Sequence, residues 1–342
     1  MPMSAARKSK TLSVLIVGCG AIAGGYDERR PTRAKSAGVF THAGAYRAHK
    51  GYHLAACVEP DAKRRKAFMA RWGVKQGFAS LGECLESGAA FDVASICVPT
   101  PAHAAQLEAL LAFPVRAVFA EKPLTGAPAD SRRIVAAYAK AGRPLAVNYF
   151  RRFDPVLRAL KREIAAGAWG RVHGAVGYYG KGLLNCGSHL IDLLAYLWGP
   201  LAPRAVSGRL DDHLPNDPSL DAVLEGPDGG LFHLVATDSR AFFDFELQIT
   251  TDKGRLAIEE QGQRLRVRRV QSSPLFAGYR VLVSERRRPT GFGRALVEGV
   301  DNLHRCVTRG EALLSDGTNA LAAEEICAAL LAMDGGAQGG RP

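Results

Sequence analysis

The sequence predicts an α/β chain in which a doubly wound parallel sheet comes first and an α+β domain with an open, mostly antiparallel sheet follows. From residue 11 to about 148, short β-rich apolar runs alternate with helical stretches, as in parallel strands joined by right-handed crossovers. After residue 148 the rhythm changes to helices separated by several alternating strands. The length of 342 residues, 47% of them hydrophobic, suits two domains.

The elements of the first domain are short and closely spaced. The expected strands are 13–17, 54–58, 74–78, 93–98, 115–120 and 144–147. The expected helices are 41–49, 61–72, 102–112 and 128–141. This alternation predicts a domain over residues 11–148 in which helices cover both faces of a parallel sheet.

The second domain should extend over residues 149–334. Its expected elements are, in order, a helix over 155–166, a strand over 171–179, a helix over 189–197, alternating β segments up to residue 283, and a helical pair near 292–308 and 316–332. The Gly-rich stretch 335–342 is expected to be a disordered tail.

The chain is basic, with a formal net charge of +12 and its densest clusters at 264–269 and 286–288. Such a charge is typical of proteins that bind nucleic acid, anionic membrane surfaces or acidic small molecules. The two clusters contain no interleaved aromatic residue and no known nucleic-acid motif, so a solvated strand face is the favoured interpretation and nucleic-acid binding is a rival. We therefore expect neither nucleic acid nor a membrane as partner.

The seven cysteines are widely spaced and include no C-x-x-C pair, so we expect neither a disulfide framework nor a metal site. A reducing cytoplasm is the expected location. No stretch approaches the roughly 20 uninterrupted apolar residues that a membrane helix requires, so we expect no membrane span. The basic residues before the run 12–17, followed by Cys19, superficially resemble a lipoprotein signal, but cleavage would remove the first strand. We expect strand one there instead.

The first strand leads into a glycine-rich turn, in the run VLIVGCGAIA. Its G-x-G-x-x-A pattern lets backbone amides approach a pyrophosphate at the start of the following helix. The motif predicts a dinucleotide site formed by Gly18, Gly20, Ala21 and Ile22. A glycine-rich turn of some other α/β protein is the alternative interpretation.

Glu59 follows the second strand, where a carboxylate can hold the adenosine ribose hydroxyls and favours NAD. The basic residues 63–65 leave NADP open. Glu59 comes 41 residues after Gly18, although about 20 is usual. An insertion over 25–40, which contains Pro31 and shows no periodicity, explains the excess. We hypothesise that it covers the cofactor as a lid or reaches a neighbouring subunit.

Another strand end should contribute to the same sheet edge. Pro99, Thr100 and His103 follow the strand expected over 93–98. Cofactors of open α/β sheets bind beyond the carboxyl ends of the strands, so these three residues are candidate cofactor contacts. An ordinary loop between a strand and a helix is the alternative.

The run Glu121-Lys122-Pro123 follows the next strand and should place an ammonium group near the nicotinamide. A partly buried lysine can have a pKa near the working pH, and it can then give a proton to a substrate oxygen or accept one. A surface lysine is the alternative.

The run KGLLNCGSHLID begins an apolar helix in the second domain. Helical spacing can bring Asn185, His189 and Asp192 to one wall near the start of that helix. A lone histidine in such a position is more often structural.

These motifs occur in one order: the G-x-G turn, Glu59, Pro99, Glu-Lys-Pro at 121–123, NYFRRF at 148–153, and N-x-x-x-H-x-x-D at 185–192. The combination resembles the glucose-fructose oxidoreductase and inositol dehydrogenase family, Gfo/Idh/MocA, over about 13–199 and more faintly beyond. The resemblance implies a Rossmann domain, an open-sheet domain, non-covalent NAD or NADP, and oxidation or reduction at a sugar or cyclitol carbon. It also implies homo-dimers or homo-tetramers formed through the open sheet.

The resemblance also suggests roles for individual residues. Lys122 would polarise the reacting oxygen and contact the cofactor together with Glu121, while His189 would carry the proton. The side chains that would face the substrate are Tyr149, Arg151, Arg152, Lys181 and Asp192.

One departure concerns Asn185, because the family commonly has an aspartate there. An amide can orient His189, but it cannot stabilise an imidazolium by charge. Either Lys122 carries more of the proton transfer, or the substrate supplies a carboxylate or phosphate.

The basic residues near these motifs favour an anionic sugar, such as a nucleotide sugar, a sugar phosphate or a uronic acid. Solvated charge is the equally simple alternative. The predicted function is an NAD-dependent sugar dehydrogenase or reductase. Its rivals on the same fold are a cofactor-dependent glycosidase and an NAD-binding regulator without turnover, which Asn185 keeps open.

Overall fold

The structure is a computed structural model that describes residues 11–28 and 38–338. Most of the proposed insertion over 25–40, and residues 339–342 of the predicted tail, lie outside the described residues. The chain divides into two compact units. The first contains the described residues up to Glu121, Arg133–Asn148 and Leu296–Asp316, and the second contains Lys122–Arg132, Tyr149–Ala295 and the residues from Gly317 onward.

A six-stranded parallel sheet with the order β3-β2-β1-β4-β5-β6 forms the first unit. Its strands are β1 (Leu12–Val17), β2 (Tyr52–Val58), β3 (Gln76–Phe78), β4 (Val93–Ile96), β5 (Ala117–Ala120) and β6 (Leu145–Val147). The strand order reverses between β1 and β4, and ligands of open α/β sheets bind beyond the carboxyl ends at such a reversal. The predicted doubly wound sheet is confirmed.

Ten helices connect and flank the strands in the described part of the chain. They are α1 (Tyr26–Glu28), α2 (His42–Ala48), α3 (Ala62–Trp72), α4 (Leu81–Glu86), α5 (His103–Leu111), α6 (Pro128–Lys140), α7 (Pro155–Ala165), α8 (Ser188–Trp198), α9 (Ala295–Arg309) and α10 (Gly317–Gln338). Helix α4 was not predicted. Ser80 starts it by accepting a hydrogen bond from the Glu83 amide at 3.1 Å, which satisfies a donor of the first turn.

Asp27 connects the two described ends of the segment over 25–40. Its carboxylate accepts hydrogen bonds from the backbone amides of Phe40 and Thr41, both at 3.1 Å. The Thr41 hydroxyl in turn caps α2 by accepting from the Gly44 amide at 3.1 Å. A Cβ atom on Gly44 would collide with the Asp27 carboxylate, so this contact requires glycine.

The core of the first unit lies on the central strands. Val14, Ile16, Ile96 and Phe119 are fully buried, as expected for a parallel sheet covered on both faces. Burial of each such side chain stabilises the fold by roughly 1.5–3 kcal/mol. The segment Leu296–Asp316, which we expected in the second domain, packs in this unit.

An eight-stranded sheet with the order β14-β13-β12-β11-β7-β10-β9-β8 forms the second unit. Its strands are β7 (Val172–Tyr179), β8 (Ala202–Leu214), β9 (Asp217–Glu225), β10 (Leu231–Ala236), β11 (Phe245–Thr251), β12 (Gly254–Glu259), β13 (Arg264–Ser272) and β14 (Arg280–Pro289). All neighbours are antiparallel except β7 and β10, which confirms the predicted open, mostly antiparallel sheet.

Two segments of the second unit extend further than predicted. Strand β14 continues to Pro289, beyond residue 283, and α10 continues through Gln338, so the described start of the expected tail is helical. Helix α8 packs closely on β7, because a Cβ atom on Gly177 would lie only 2.9 Å from the Leu190 Cδ1 atom. This close packing fixes the start of α8 against the sheet.

Candidate functional site

A cavity of about 590 Å³ lies at the carboxyl ends of β1, β2 and β4 in the first unit. Its walls come from the glycine-rich turn, the ends of the neighbouring strands and the loop before α4. The residues that line it are Val17, Gly18, Gly20, Ala21, Ile22, Tyr26, Val58, Glu59, Pro60, Arg64, Ala79, Ser80, Leu81, Cys97, Val98, Pro99, Ala102 and Gln106. The cavity therefore occupies the position at which open α/β sheets bind their ligands.

The two glycines of the turn have different requirements. Gly18 has a φ of 90°, and a Cβ atom there would lie 2.9 Å from the carbonyl carbon and oxygen of Cys97. Gly20 has no atom within 4 Å of such a Cβ, yet it lines the cavity. Gly18 is thus needed for the fold of the turn, whereas a side chain on Gly20 would occupy ligand space.

A short helical turn over Ala21–Gly25 follows Gly20. The amides of Gly24 and Gly25 both donate to the Gly20 carbonyl at 3.3 Å. The first amides of a helical turn have no partner within it, so Ala21 and Ile22 present donors of the kind that bind a pyrophosphate.

Glu59 is 4% exposed and holds the turn against the end of β2. Its Oε2 atom accepts from the Cys19 amide at 3.0 Å, and its Oε1 atom accepts from the Asp61 amide at 3.1 Å. Arg64 Nη1 lies 3.4 Å from Oε1 and also lines the cavity. A fixed carboxylate and a nearby guanidinium fit a ribose bearing either hydroxyls or a phosphate.

Not every predicted cofactor residue lies on this cavity. Pro99 lines it, but Thr100 and His103 do not, and the His103 Nε2 atom lies 2.9 Å from the Val98 carbonyl, where it supports the loop. Glu121 is buried elsewhere in the same unit, 2.9 Å from His42 Nε2, and it accepts from Asn148 Nδ2 at 2.6 Å. The sequence missed the contributions of Tyr26, Ser80 and Gln106, which belong to no motif.

Lys122, the next residue in the chain, belongs to the second unit and contacts Asn185 twice. Its Nζ atom donates to the Asn185 carbonyl oxygen at 2.6 Å and to Oδ1 at 2.9 Å. Asn185 lies in a single wide helical turn, Leu183–Gly187, that leads into α8. The Asp217 carboxylate fixes this turn by accepting from the amides of Leu184 at 2.7 Å and Asn185 at 2.9 Å.

His189 occupies the first turn of α8 and is 9% exposed. Its ring packs edge-on against Tyr149 and Phe150, with centroid distances of 5.4 and 5.6 Å. Burial lowers the pKa of His189 well below its ordinary value, and the positive charges of Lys122 and Arg151 lower it further. Within residues 11–28 and 38–338 the ring has no hydrogen-bond partner. The neutral imidazole can therefore accept a proton from a bound ligand.

The two predicted substrate arginines lie in different environments. Arg151 is buried, and its guanidinium carbon lies 3.4 Å from the centroid of Phe245 and 4.6 Å from that of Phe150. Burial lowers its pKa to about 9. Arg152 instead donates from Nε to both oxygens of Asp192 at 2.9 Å.

Asp192 also accepts from Asn319 Nδ2 at 3.0 Å and is 2% exposed. Burial raises its pKa, while the Arg152 charge acts in the opposite direction. Arg152 and Asp192 lie on a separate cavity of about 300 Å³ that is mostly lined by residues of α8 and α10. The pair therefore has a structural role within the unit.

Three positive side chains act on one buried thiol beside His189. Burial raises the pKa of Cys186, and the charges of Lys122, Arg151 and Lys181 act against that rise. The backbone of Lys181 has a φ of 72° and its amide donates to Asp212 at 2.6 Å, which fixes the turn before Asn185. The predicted residues Lys122, Tyr149, Arg151, Lys181, Asn185 and His189 thus lie in the second unit around one turn.

The fold and these two sites define a class of protein: a dinucleotide-binding α/β unit, and a second unit with a lysine beside a neutral histidine. Residues 12–149 match the sequence model of the family GFO_IDH_MocA, described as an oxidoreductase family with an NAD-binding Rossmann fold. The match extends over the N-terminal part of the chain, so the first unit is similar to the NAD-binding domain of that family.

Relatives with assigned names match part of the chain. Inositol 2-dehydrogenase of Corynebacterium glutamicum is 30% identical over 165 residues, which cover 48% of this chain and 44% of that protein. D-apiose dehydrogenase of Paraburkholderia graminis is 27% identical over 183 residues, covering 48% of each. The chain thus spans about half the length of the curated relatives it matches.

The fold is similar over nearly the whole chain to a solved structure, that of the WlbA dehydrogenase from Bordetella pertussis in complex with NADH and UDP-GlcNAcA. The TM-score is 0.73 at 20% identity, over 95% of this chain and 96% of that one.

In the described part of this chain, none of the helices has the length and apolar character that crossing a bilayer requires.

Proposed function

We propose that the protein is an NAD(P)-dependent oxidoreductase that transfers a hydride between nicotinamide and a hydroxyl-bearing carbon of a sugar derivative. The observation that carries the proposal is the Lys122 ammonium held at 2.6 and 2.9 Å by Asn185, close enough to His189 to lower its pKa. A cation beside a neutral base is the pair that oxidation of an alcohol needs.

The chain's own residues supply the proton chemistry. His189, neutral because it is buried, accepts the hydroxyl proton. The Lys122 ammonium donates a hydrogen bond to the substrate oxygen and stabilises negative charge that develops there. Asn185 orients Lys122 through two acceptors, and Asp217 fixes the turn that carries Asn185. The nicotinamide, when bound, supplies the hydride acceptor or donor.

We further propose that the substrate is anionic: a nucleotide sugar, a sugar phosphate or a uronic acid. The charges of Lys122, Arg151 and Lys181 all act on Cys186. None of the ion pairs among the described residues involves Arg151 or Lys181. Asn185 adds no negative charge, so an anionic ligand would complement the positive charges of Arg151 and Lys181.

The second candidate is a protein on the same fold that binds NAD without net redox turnover, as a regulator or as a cofactor-dependent glycosidase. Asn185 favours it, because an amide gives His189 no charge support once the ring is protonated. Net formation of NADH during turnover distinguishes the two candidates.

We also propose the wider organisation of the protein. A dinucleotide-binding domain over 11–148, in which the segment Leu296–Asp316 also packs, precedes a substrate-binding domain over 149–334. In the second domain Tyr149 borders His189, and the Arg152–Asp192 pair stabilises the fold. Homo-dimers or homo-tetramers form through the open sheet, and light scattering of the purified protein tests this.

We propose a reducing cytoplasm as the location of the protein. The seven cysteines are all free, which supports this proposal.

The decisive experiment combines binding with turnover. NADH and NADPH are titrated by fluorescence, and the oxidised cofactors are then incubated with uronic acids, sugar phosphates and nucleotide sugars, each beside its neutral analogue. Cofactor reduction on an anionic sugar, lost by at least about 100-fold in Lys122→Met and retained in Lys140→Met, is the expected result. Cofactor binding without reduction would favour the second candidate, and no binding would refute both.

A further inference from the structure

A basic cavity lies in the second unit, at the β13–β14 end of the sheet. It measures about 700 Å³ and we refer to it as the arginine hollow. Its lining residues are Glu163, Trp169, Val267, Arg269, Gln271, Arg286, Arg287 and Arg288. None of them belongs to the proposed active site, so an inference drawn from the hollow does not rest on the proposed function.

Three arginines of β13 and β14 come together at the hollow. Arg286 is paired with Val267 and Arg288 with Leu265, and the register shifts between Val267 and Arg269. Arg269, Arg286 and Arg288 all line the hollow. Alternate residues of a strand are about 7 Å apart, and directly paired residues are closer still. Like charges at these distances destabilise the isolated hairpin.

The neighbouring carboxylates do not neutralise this face. Glu285 pairs with Arg287, from Nε to Oε1 at 2.8 Å. Glu163, which lines the hollow, accepts from the Trp169 indole at 3.1 Å, and its single negative charge faces four lining arginines. In the described part of the chain, the side chains of Arg286 and Arg288 have neither an ion pair nor a hydrogen-bond partner. The hollow therefore holds an excess of positive charge.

Arg269 is held in place at the back of the hollow. Its guanidinium carbon lies 3.5 Å from the ring centroid of Trp169, and Nη1 donates to the Ala168 carbonyl at 3.1 Å. Trp169 is 1% exposed, so the ring is a rigid support. A stacked guanidinium keeps its outward N–H groups oriented, which lowers the entropy lost when an anion binds.

We propose that the arginine hollow binds a ligand that carries two or more linked phosphoryl groups. Phosphoryl oxygens match the planar donor fork of arginine, and several linked groups can engage Arg269, Arg286 and Arg288 together. Nucleic acid is the less suitable partner, because the surface is concave, Glu163 borders it, and its only aromatic ring is covered and cannot stack with a base.

Calorimetric titration of the whole protein with inorganic tripolyphosphate tests the proposal. We expect saturable binding that weakens with salt, at least about tenfold tighter than that of orthophosphate. Arg286→Gln/Arg288→Gln should weaken it by at least about tenfold. The matched control, Arg264→Gln/Arg280→Gln, removes the same charge from the β13–β14 hairpin outside the hollow and should change the affinity less than about twofold.

Further ligands separate the sources of the phosphoryl chain and the rival partner. Competition by ATP would support a nucleotide, and competition by longer inorganic chains alone would support polyphosphate; either outcome keeps the proposed chemistry. Equal losses in the two double variants, binding of orthophosphate as tight as that of tripolyphosphate, or no saturable binding would overturn it. Tighter binding of a short DNA duplex through Arg286 and Arg288 would overturn it in favour of nucleic acid. Circular dichroism of each variant establishes that it is folded.

Discussion

Lys122 donates to both oxygens of Asn185, at 2.6 Å to the backbone carbonyl and at 2.9 Å to the side-chain amide. Neither oxygen carries a formal charge, so the ammonium is held in position without being neutralised by this residue. An aspartate would give the same geometry with a negative charge. The residue at position 185 therefore controls the electrostatics of the turn as well as its hydrogen bonds.

Asn185→Asp should move the pH dependence of turnover. A carboxylate near His189 favours the charged imidazole, so its lowered pKa should rise and activity should be lost at a higher pH on the acid side. We expect the acid limb of kcat/KM to shift upward by about one pH unit. Asn185→Ser, which adds no charge, is the control, and an equal shift in both variants would contradict the explanation.

His189→Gln should flatten the dependence of stability on pH. The folded-state pKa of His189 is lowered, so its contribution to stability is complete above the unfolded value of about 6.5 and is lost as the pH falls below it. Below that pH the wild type should lose up to about 1.4 kcal/mol per pH unit relative to the variant. Urea unfolding between pH 7 and 5 measures this, and parallel profiles would show that the histidine is not buried as described.

The two glycines of the dinucleotide turn provide a matched pair. Gly18→Ala should lower the free energy of unfolding by about 1–3 kcal/mol, since the new Cβ meets the Cys97 carbonyl at 2.9 Å and φ is 90°. Gly20→Ala should leave thermal unfolding nearly unchanged and weaken NADH binding, because its Cβ would point into empty cavity. An unchanged NADH affinity in Gly20→Ala would show that the cofactor does not bind in this cavity.

Glu59→Gln should change cofactor choice. The amide nitrogen must face either the Cys19 or the Asp61 amide, so one hydrogen bond is lost at a cost of about 1–3 kcal/mol. We expect NADH to bind roughly tenfold more weakly, with NADPH less affected because a negative charge beside its phosphate disappears. Fluorescence titration measures both constants, and an equal loss for both cofactors would mean that Glu59 only supports the turn.

Asp192→Asn should destabilise the second unit. It leaves Arg152, 12% exposed at its side chain, without its carboxylate, and removal of one partner of a buried pair costs about 3–5 kcal/mol. The double variant Arg152→Met/Asp192→Leu should recover most of that loss, since neither charge remains. Chemical unfolding of the three proteins checks this; a double variant as unstable as Asp192→Asn would argue against a simple charge effect.

The parallel sheet could be predicted because each of its strands is a short apolar run bounded by turn residues. Helix α4 could not be predicted, because its six residues are too few to show a helical period. The glycine turn and Glu59 were recognisable from local order. The contributions of Ser80 and Gln106 were not, because they reach the cavity from elements that carry no motif.

In the second unit the sequence indicated which residue types gather, but it did not indicate their partners. Arg151 and Arg152 are adjacent in the chain, yet one lies among phenylalanine rings and the other pairs with Asp192. Phe245 comes from a distant strand, so no spacing could reveal it. The hydrogen bond from Lys122 to the backbone carbonyl of Asn185 could not be predicted either, because every residue has a carbonyl group and none is marked as an acceptor by the sequence.

The contact of Asp27 with Phe40 and Thr41 has an evolutionary consequence. The carboxylate brings the two ends of the intervening stretch side by side, so a longer or shorter stretch changes the cost of closing the loop only slightly. Descendants of this protein could exchange the whole stretch for another sequence, and a protein engineer could do the same, while β1 and α2 keep their geometry.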